Sequence, residues 1–424
     1  MNRPPFAYRL ASLALALPLA GYTVYRTLRD GGRAYLAGRY GRRGTGLASP
    51  VWVHCASVGE VAAAAPLLEA LADAGIGPLL VTTATPTGQV RARAHLPPGA
   101  RLLYLPLDRP GPVRRFLARN QPRAAIVLET ELWPYLYAGL ADRGIPIALV
   151  NGRLSPRTMD APAWWRDTAS WCLQRCTCIL ARSQADRERF LALGADAGRV
   201  TAVGNIKLAA AAGPPPAAIG LGRPFVLAAS THDDEELQLA RAWRKRAPAG
   251  HLLAIAPRHP ERGSAIARAL AGEGLGVTRR SREEAPAAGA GAVHLADTLG
   301  ELGGLMAGAD AVIMGGSFIP RGGQNVLEAA RAGRAIVTGP HMHNFADETA
   351  RLEGAGALVR ATDADSAVDR VVRLLSAPAE RDAMGRAGRA ALAADADMAA
   401  RYRDALVAAL PVLAPAEGAA QAER

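Results

Sequence analysis

Short apolar runs recur along most of the chain, each closed by glycine or polar residues, with helical stretches between them. Residues 51–54, 78–82, 102–105, 124–128 and 147–150 read as buried strands, and 179–180 and 200–203 complete the set. Strands alternating with helical segments specify a parallel α/β sheet. A stretch of Ala, Gly and Pro at 208–222 reads as a linker. A second series follows at 225–229, 252–255, 276–277, 293–295, 311–314 and 335–338. From about Ala361 the tail is helical and alanine-rich, and one route for it leads back onto the first domain. The expected organisation is an N-terminal segment (1–30), a Rossmann-like domain (31–207), a linker (208–222) and a second Rossmann-like domain with the tail (223–424). The two domains would face a cleft.

The first segment follows a different pattern. Residues 10–24 are nearly all apolar, short of the ~20 residues of a full span. Extending to 7–25 approaches that length if Arg9 snorkels to the interface. A cleaved signal peptide competes with this reading, because Arg3 and Arg9 precede a short apolar core with small residues near Gly21. Arg26, Arg29, Arg33, Arg39, Arg42 and Arg43 then follow, against only Asp30. The positive-inside rule keeps that side cytoplasmic, which favours a single uncleaved anchor. The arginine-rich stretch would lie against an anionic lipid surface.

Composition adds less. The net charge of +12 would suit an anionic partner. The basic residues are almost all scattered arginines, without the aromatic interleaving or zinc spacing of a nucleic-acid module, so no nucleic-acid partner is expected. Only Lys207 and Lys245 are lysines, and Asn151, Asn205, Asn325 and Asn344 all fall in motif-like loops. A residue type that the composition disfavours points to chemistry where it occurs. Cys55, Cys172, Cys176 and Cys178 fit buried thiols better than a zinc pattern.

Candidate chemistry gathers where strands end. His54-Cys-Ala-Ser-Val-Gly-Glu60 joins the first strand to a helix; Glu60 reads either as a site carboxylate or as a capping box with Ser57. Glu129-Thr-Glu-Leu-Trp-Pro134 and Asn151-Gly-Arg-Leu-Ser155 close two further strands. In the second domain, Ser230 or Thr231 precedes a run of acids that suits a helix start. Arg258, in Pro257-Arg-His-Pro-Glu-Arg262, is suited to a phosphate or carboxylate. Gly315-Gly-Ser-Phe-Ile-Pro-Arg-Gly-Gly-Gln-Asn-Val-Leu-Glu328 is a strand, a glycine turn and a helix start, the build of a phosphate and nucleotide pocket. Glu328 could accept from ribose hydroxyls. His341 and His343 form an H-x-H without a matching partner motif, so no metal is expected.

Taken in order, these motifs resemble the 3-deoxy-D-manno-octulosonic acid (Kdo) transferase family of lipopolysaccharide assembly. The likeness runs from Tyr35 to about Glu348. It includes Ser57-Val-Gly-Glu60, Val81-Thr-Thr-Ala-Thr-Pro-Thr-Gly88, Leu105-Pro-Leu-Asp108, Gly204-Asn-Ile-Lys207, Ser230-Thr-His232 and Gly339-Pro-His341. It implies an α/β GT-B glycosyltransferase fold with a membrane-anchor helix, at the cytoplasmic face of the inner membrane. It further implies inverting, metal-independent transfer of Kdo from CMP-Kdo to a lipid A precursor, lipid IVA, with no cofactor. The family's base falls on Glu60, with Glu131 beside it in the catalytic set. Ser57, Gly59, Arg153, Asn205 and Lys207 would hold acceptor or sugar. Ser230, Thr231, Arg258, His259, Gly315, Gly316, Ser317, Gly323, Gln324, Asn325 and Glu328 would hold CMP-Kdo.

The sequence departs from the family pattern twice. Gln324 stands where the family commonly has His, and Asp233-Asp234 replaces a small, glycine-bearing turn. Gln cannot become cationic, so it would neutralise a phosphate less well. The competing readings are another GT-B sugar transferase or nucleotide-sugar epimerase, and an exported two-domain sugar-binding protein.

Overall fold

The computed structural model describes residues 3–93, 95–154, 156–211, 215–287, 289 and 291–414. Ser155 of the 151–155 motif, residues 212–214 of the expected linker, and 415–424 of the tail lie outside them. The chain divides into two compact units, residues 1–210 with 397–424, and residues 211–396.

The first unit is built on seven parallel strands: β1 (Val51–His54), β2 (Leu79–Thr83), β3 (Arg101–Tyr104), β4 (Ala124–Leu128), β5 (Ile147–Gly152), β6 (Cys178–Ala181) and β7 (Val200–Ala202). Their order is β3-β2-β1-β4-β5-β6-β7. β1, β2, β4 and β5 are buried along their whole length. Apolar clusters cover both faces, which is why these strands read as continuous apolar runs. The four cysteines are buried and unbridged.

The second unit repeats the plan with β8 (Phe225–Thr231), β9 (Leu252–Pro257), β10 (Val277–Arg279), β11 (Val293–Leu295), β12 (Ala311–Met314), β13 (Ala335–Thr338) and β14 (Leu358–Arg360). The order is β10-β11-β9-β8-β12-β13-β14, all parallel. The helix Ala364–Ser376 starts with a capping box between Asp363 and Ser366 and buries Ala367, Val368, Val371 and Leu374 against this sheet.

The last helix, Met398–Ala409, falls within 223–424, which the sequence grouped as the second domain, yet it packs in the first unit. Met398, Tyr402 and Leu406 join Ala64, Leu67 and Leu68 of the helix Val58–Asp73 in one apolar cluster. The Tyr402 hydroxyl donates to the Gly204 carbonyl at 2.6 Å. Once the apolar face Met398/Tyr402/Leu406 is buried there, the tail's route back onto the first domain is fixed.

The N-terminal segment is not one straight helix. Phe6–Ala14 and Ala16–Arg26 are separate helices, followed by a π turn at Thr27–Gly31 and the helix Gly32–Arg39. Among the described residues, no single helix is long and apolar enough to cross a membrane; Phe6–Ala14 with Ala16–Arg39 would pass only as a pair bent by 51°. The first helix is tied to the sheet unit. The Tyr8 hydroxyl donates to Asp108 at 2.7 Å, and Arg109 donates to the Ser12 carbonyl at 2.7 Å. Asp108 also accepts the N–H groups of Tyr135 and Leu136 at the start of the helix Pro134–Ala141. Burial pushes the Asp108 carboxyl up to about 6, against the pull of these donors.

Candidate active site

In an open parallel sheet the strand order reverses at one place, and ligands collect outside the carboxyl ends of the two strands there. In the first unit that place lies between β1 and β4, which pair in parallel. Glu60 follows β1 and Glu129 follows β4.

Ser57 caps the helix Val58–Asp73, accepting the Glu60 N–H at 3.3 Å. The Glu60 carboxylate turns back to accept the Ala56 N–H at 2.7 Å and the Ser57 hydroxyl at 2.9 Å. The capping geometry expected from Ser-x-x-Glu is therefore present, with Ala56 in place of the usual cap N–H. It also fixes the carboxylate. Glu60 is only 7% exposed. Burial, then the negative charge of Glu129, raises its carboxyl to about 7, with a smaller push from Glu131. The donors from Ala56 and Ser57 oppose the rise without cancelling it. Each carboxylate oxygen accepts one hydrogen bond, so acceptor capacity remains for a substrate proton. Cap and base are compatible roles for one side chain.

The neighbouring loops are bound to each other. Glu129 and Asn151 both have φ of 54°, in the left-handed region, and the β5–β6 register shifts between Val150 and Gly152. Strained backbone and bulges of this kind occur where loops must re-aim side chains. Glu129 forms an ion pair with Lys207 at 2.9 Å. Asn205 accepts the Lys207 N–H at 3.1 Å, and Asn151 accepts the Ile206 N–H at 3.1 Å. The Thr130 hydroxyl donates to the Arg153 carbonyl and accepts the Arg153 N–H at 3.1 Å. Burial, then Glu129, raises the Glu131 carboxyl. Among the described residues the Arg153 guanidinium has no hydrogen-bond or ion-pair partner, and Ser57 and Gly59 are exposed.

In the second unit the reversal lies between β8 and β12. β8 ends in a bulge at Ser230, φ 55°, where the register shifts between Ala229 and Thr231. Gly315 meets that bulge so closely that a Cβ would lie 2.6 Å from the Ser230 carbonyl oxygen. Only glycine allows β12 to end there.

Three residues expected to contact the donor are turned inward. Thr231 is fully buried and donates to Glu236 at 3.1 Å, which also accepts from Arg262 at 3.0 Å. Ser317 is fully buried; its hydroxyl donates to the Met314 carbonyl and accepts the Gly339 N–H at 2.8 Å. The Gly316 N–H donates to Glu235 at 2.7 Å. Glu235 is itself fully buried and also accepts the N–H groups of His232 at 2.8 Å and Phe318 at 3.0 Å. The glycine turn, read as an anion cradle, thus already holds an internal carboxylate.

The groups left open form a cationic and amide rim. Arg258 is exposed, and its guanidinium has no partner among the described residues. The His259 ring lies 5.9 Å from that of His232, and its Nδ1 is 3.4 Å from Glu261. Burial lowers the His232 pKa, and the positive charges of His259, Arg321 and Arg258 add to this against the pull of Glu235. A neutral His232 can then accept from the Gln324 amide at 3.0 Å. Asn325 caps the helix Val326–Arg331 and donates to Glu328 at 3.1 Å. Gly323, φ 77°, donates to the Gly316 carbonyl at 2.7 Å. Among the described residues no three His, Cys, Asp or Glu side chains could hold a metal ion.

Sequence reasoning missed Glu235 and Arg321. Arg321 carries no pattern of its own. For Glu235 a signal existed: Glu235, Leu239 and Trp243 are spaced by four, which puts the acid on the buried face of the helix Glu235–Arg246.

The sequence model of the family described as 3-Deoxy-D-manno-octulosonic-acid transferase (kdotransferase) matches residues 34–210. The chain is 38% identical over 424 residues to the 3-deoxy-D-manno-octulosonic acid transferase of Bordetella pertussis, a match covering 94% of this chain and 98% of the relative. It is 34% identical over 372 residues to that of Haemophilus influenzae, covering 84% and 87%. Among solved structures, a putative UDP-N-acetylglucosamine 2-epimerase from Listeria monocytogenes superposes with a TM-score of 0.58 at 16% identity, covering 85% and 96%, a likeness of fold alone. With relatives this similar along nearly their whole length, the chain belongs to the 3-deoxy-D-manno-octulosonic acid transferase family.

Proposed function

We propose that the chain transfers Kdo from CMP-Kdo to a hydroxyl of a lipid A precursor, lipid IVA, with inversion and without a metal, at the cytoplasmic face of the inner membrane. Glu60 is the general base. Its carboxylate takes the hydroxyl proton as that oxygen bonds to the anomeric carbon, and the bond from that carbon to the phosphate oxygen breaks to release CMP. The observation that carries this reading is the state of Glu60. It is a buried, fixed carboxylate raised to about 7, which puts its titration near neutral pH, where a base is both deprotonated and basic enough to act.

Glu131, Arg153, Asn205 and Lys207 hold the sugar or acceptor on the first unit. On the second, Arg258 and His259 neutralise the phosphate, Glu328 and Asn325 meet the ribose, and Gln324 acts through its amide. Thr231, Ser317 and Gly316 keep these loops in place from inside. The leaving group is a nucleoside monophosphate, and side-chain cations supply the charge it needs. Incubating the purified protein with CMP-Kdo and tetraacyl lipid A precursor should add the mass of Kdo to the acceptor. No mass gain would defeat the reading.

A further inference from the structure

The N-terminal helix is turned the opposite way to an ordinary surface helix. Tyr8 and Ser12 face the sheet unit through Asp108 and Arg109. Phe6, Leu10 and Leu13, spaced by four and three, are 74%, 58% and 65% exposed, and Leu17, just past the break in the second helix, is 84% exposed. Leu28, in the π turn beyond the second helix, is 83% exposed. An apolar stripe left open on a helix fixed to a folded domain marks a surface for another apolar phase.

Beside this stripe runs a groove of about 540 Å³ between the N-terminal segment and the helices Pro110–Asn120 and Pro134–Ala141. Arg3, Arg9, Arg114 and Arg143 line it, and Asp142 is the one carboxylate among its described lining residues. Arg3, Arg9 and Arg114 are exposed and make no ion pair or side-chain hydrogen bond among the described residues. Arg143 donates to the Gly139 carbonyl of its own helix at 3.0 Å. Arg9 shares the helix with Leu10 and Leu13. When those leucines enter an acyl layer, its guanidinium therefore sits at headgroup depth.

We infer that this groove is a binding site for the phosphate headgroup of an anionic phospholipid, with the Phe6/Leu10/Leu13 stripe of the first helix lying in the plane of the bilayer. The inference rests on the membrane location proposed above and gives it a site. The stripe supplies affinity for any bilayer; the arginines add selectivity for a negative phosphate, which guanidinium groups grip in a fork. Tyr135, at the start of the helix Pro134–Ala141, lines the same groove and packs its ring at a tilt against that of Tyr8, with 5.8 Å between the centroids. The site is therefore built on the joint that holds the helix in place.

The test compares the full-length protein with two charge-matched doubles, Arg9→Gln/Arg114→Gln in the groove and Arg370→Gln/Arg386→Gln on the exposed surface of the second unit. Co-sedimentation is measured with vesicles of phosphatidylcholine alone and of phosphatidylcholine with phosphatidylglycerol. At ~1 kcal/mol per arginine, the groove double should bind the anionic vesicles about 30-fold more weakly, with binding to neutral vesicles unchanged. The surface double should follow the wild type. Equal loss in both doubles, or none in the groove double, overturns the site but leaves the membrane location standing. Wild type that binds neither vesicle overturns both. If the groove double instead raises the KM for the acceptor lipid in phospholipid-free detergent, the groove belongs to the acceptor and the proposal fails.

Discussion

The two sheet units place acids at equivalent points and use them in opposite ways. In the first, Glu60 stands at the reversal between β1 and β4, raised to about 7, with acceptor capacity left over. In the second, Glu235 stands beside the reversal between β8 and β12 and is closed off by the N–H groups of His232, Gly316 and Phe318. The same edge of the same fold carries a carboxylate with a raised pKa and spare acceptor capacity in one unit and a carboxylate closed off by backbone donors in the other. The difference lies in which donors reach the acid and which charges surround it. Glu60 has negative neighbours in Glu129 and Glu131; Glu235 sits among backbone donors behind the rim of Arg258, His259 and Arg321.

Substitution of each acid breaks the comparison most sharply. Glu60→Gln should lower turnover by about 10²–10⁴-fold, the usual worth of a general base, while CMP binding measured by calorimetry stays close to wild type. Glu235→Ala should do the reverse kind of damage. Three N–H groups lose their acceptor, the buried one of Gly316 and the part-buried ones of His232 and Phe318, at about 1–3 kcal/mol where water cannot replace it, so the denaturant midpoint of the second unit should fall clearly. The acid limb of the pH–rate profile, which belongs to the first unit, should stay where it was.

How much of this was legible in the sequence differs between the two acids. Strands β4 and β12 stand where their apolar runs end, because a strand buried on both faces leaves an unbroken run. Glu60 was legible through its motif. Glu235 was passed over because acids in a first helical turn usually serve the dipole, and only the spacing to Leu239 and Trp243 pointed inward. β14 went unread because it has three residues and only Leu358 is fully buried. The Lys207–Glu129 pair joins loops 78 residues apart, and no local pattern announces it. The break at Leu15 in the N-terminal segment did carry a signal that went unused: Pro18 has no N–H to donate to the Ala14 carbonyl and its ring crowds that group, so the first helix ends at Ala14.

Two smaller effects sharpen the contrast. Arg258→Ala should raise the KM for CMP-Kdo about 10- to 100-fold, the worth of one charge-assisted contact, with kcat at saturating donor less affected. Initial-rate kinetics at varied donor would show the split. Glu129→Gln should move the acid limb of kcat/KM to lower pH. It removes a negative charge that raises Glu60, and this favours the ionised carboxylate.

The central claim is that Glu60 is the base and that its surroundings hold it near neutral. The pH dependence of kcat/KM, measured for wild type and for the residual activity of Glu60→Gln, tests it most directly. Because the base must be deprotonated, the wild-type rate should fall tenfold per pH unit below about 7, and that limb should vanish in the variant. A wild-type profile flat to well below neutral pH, or a limb that persists in Glu60→Gln, would contradict the account.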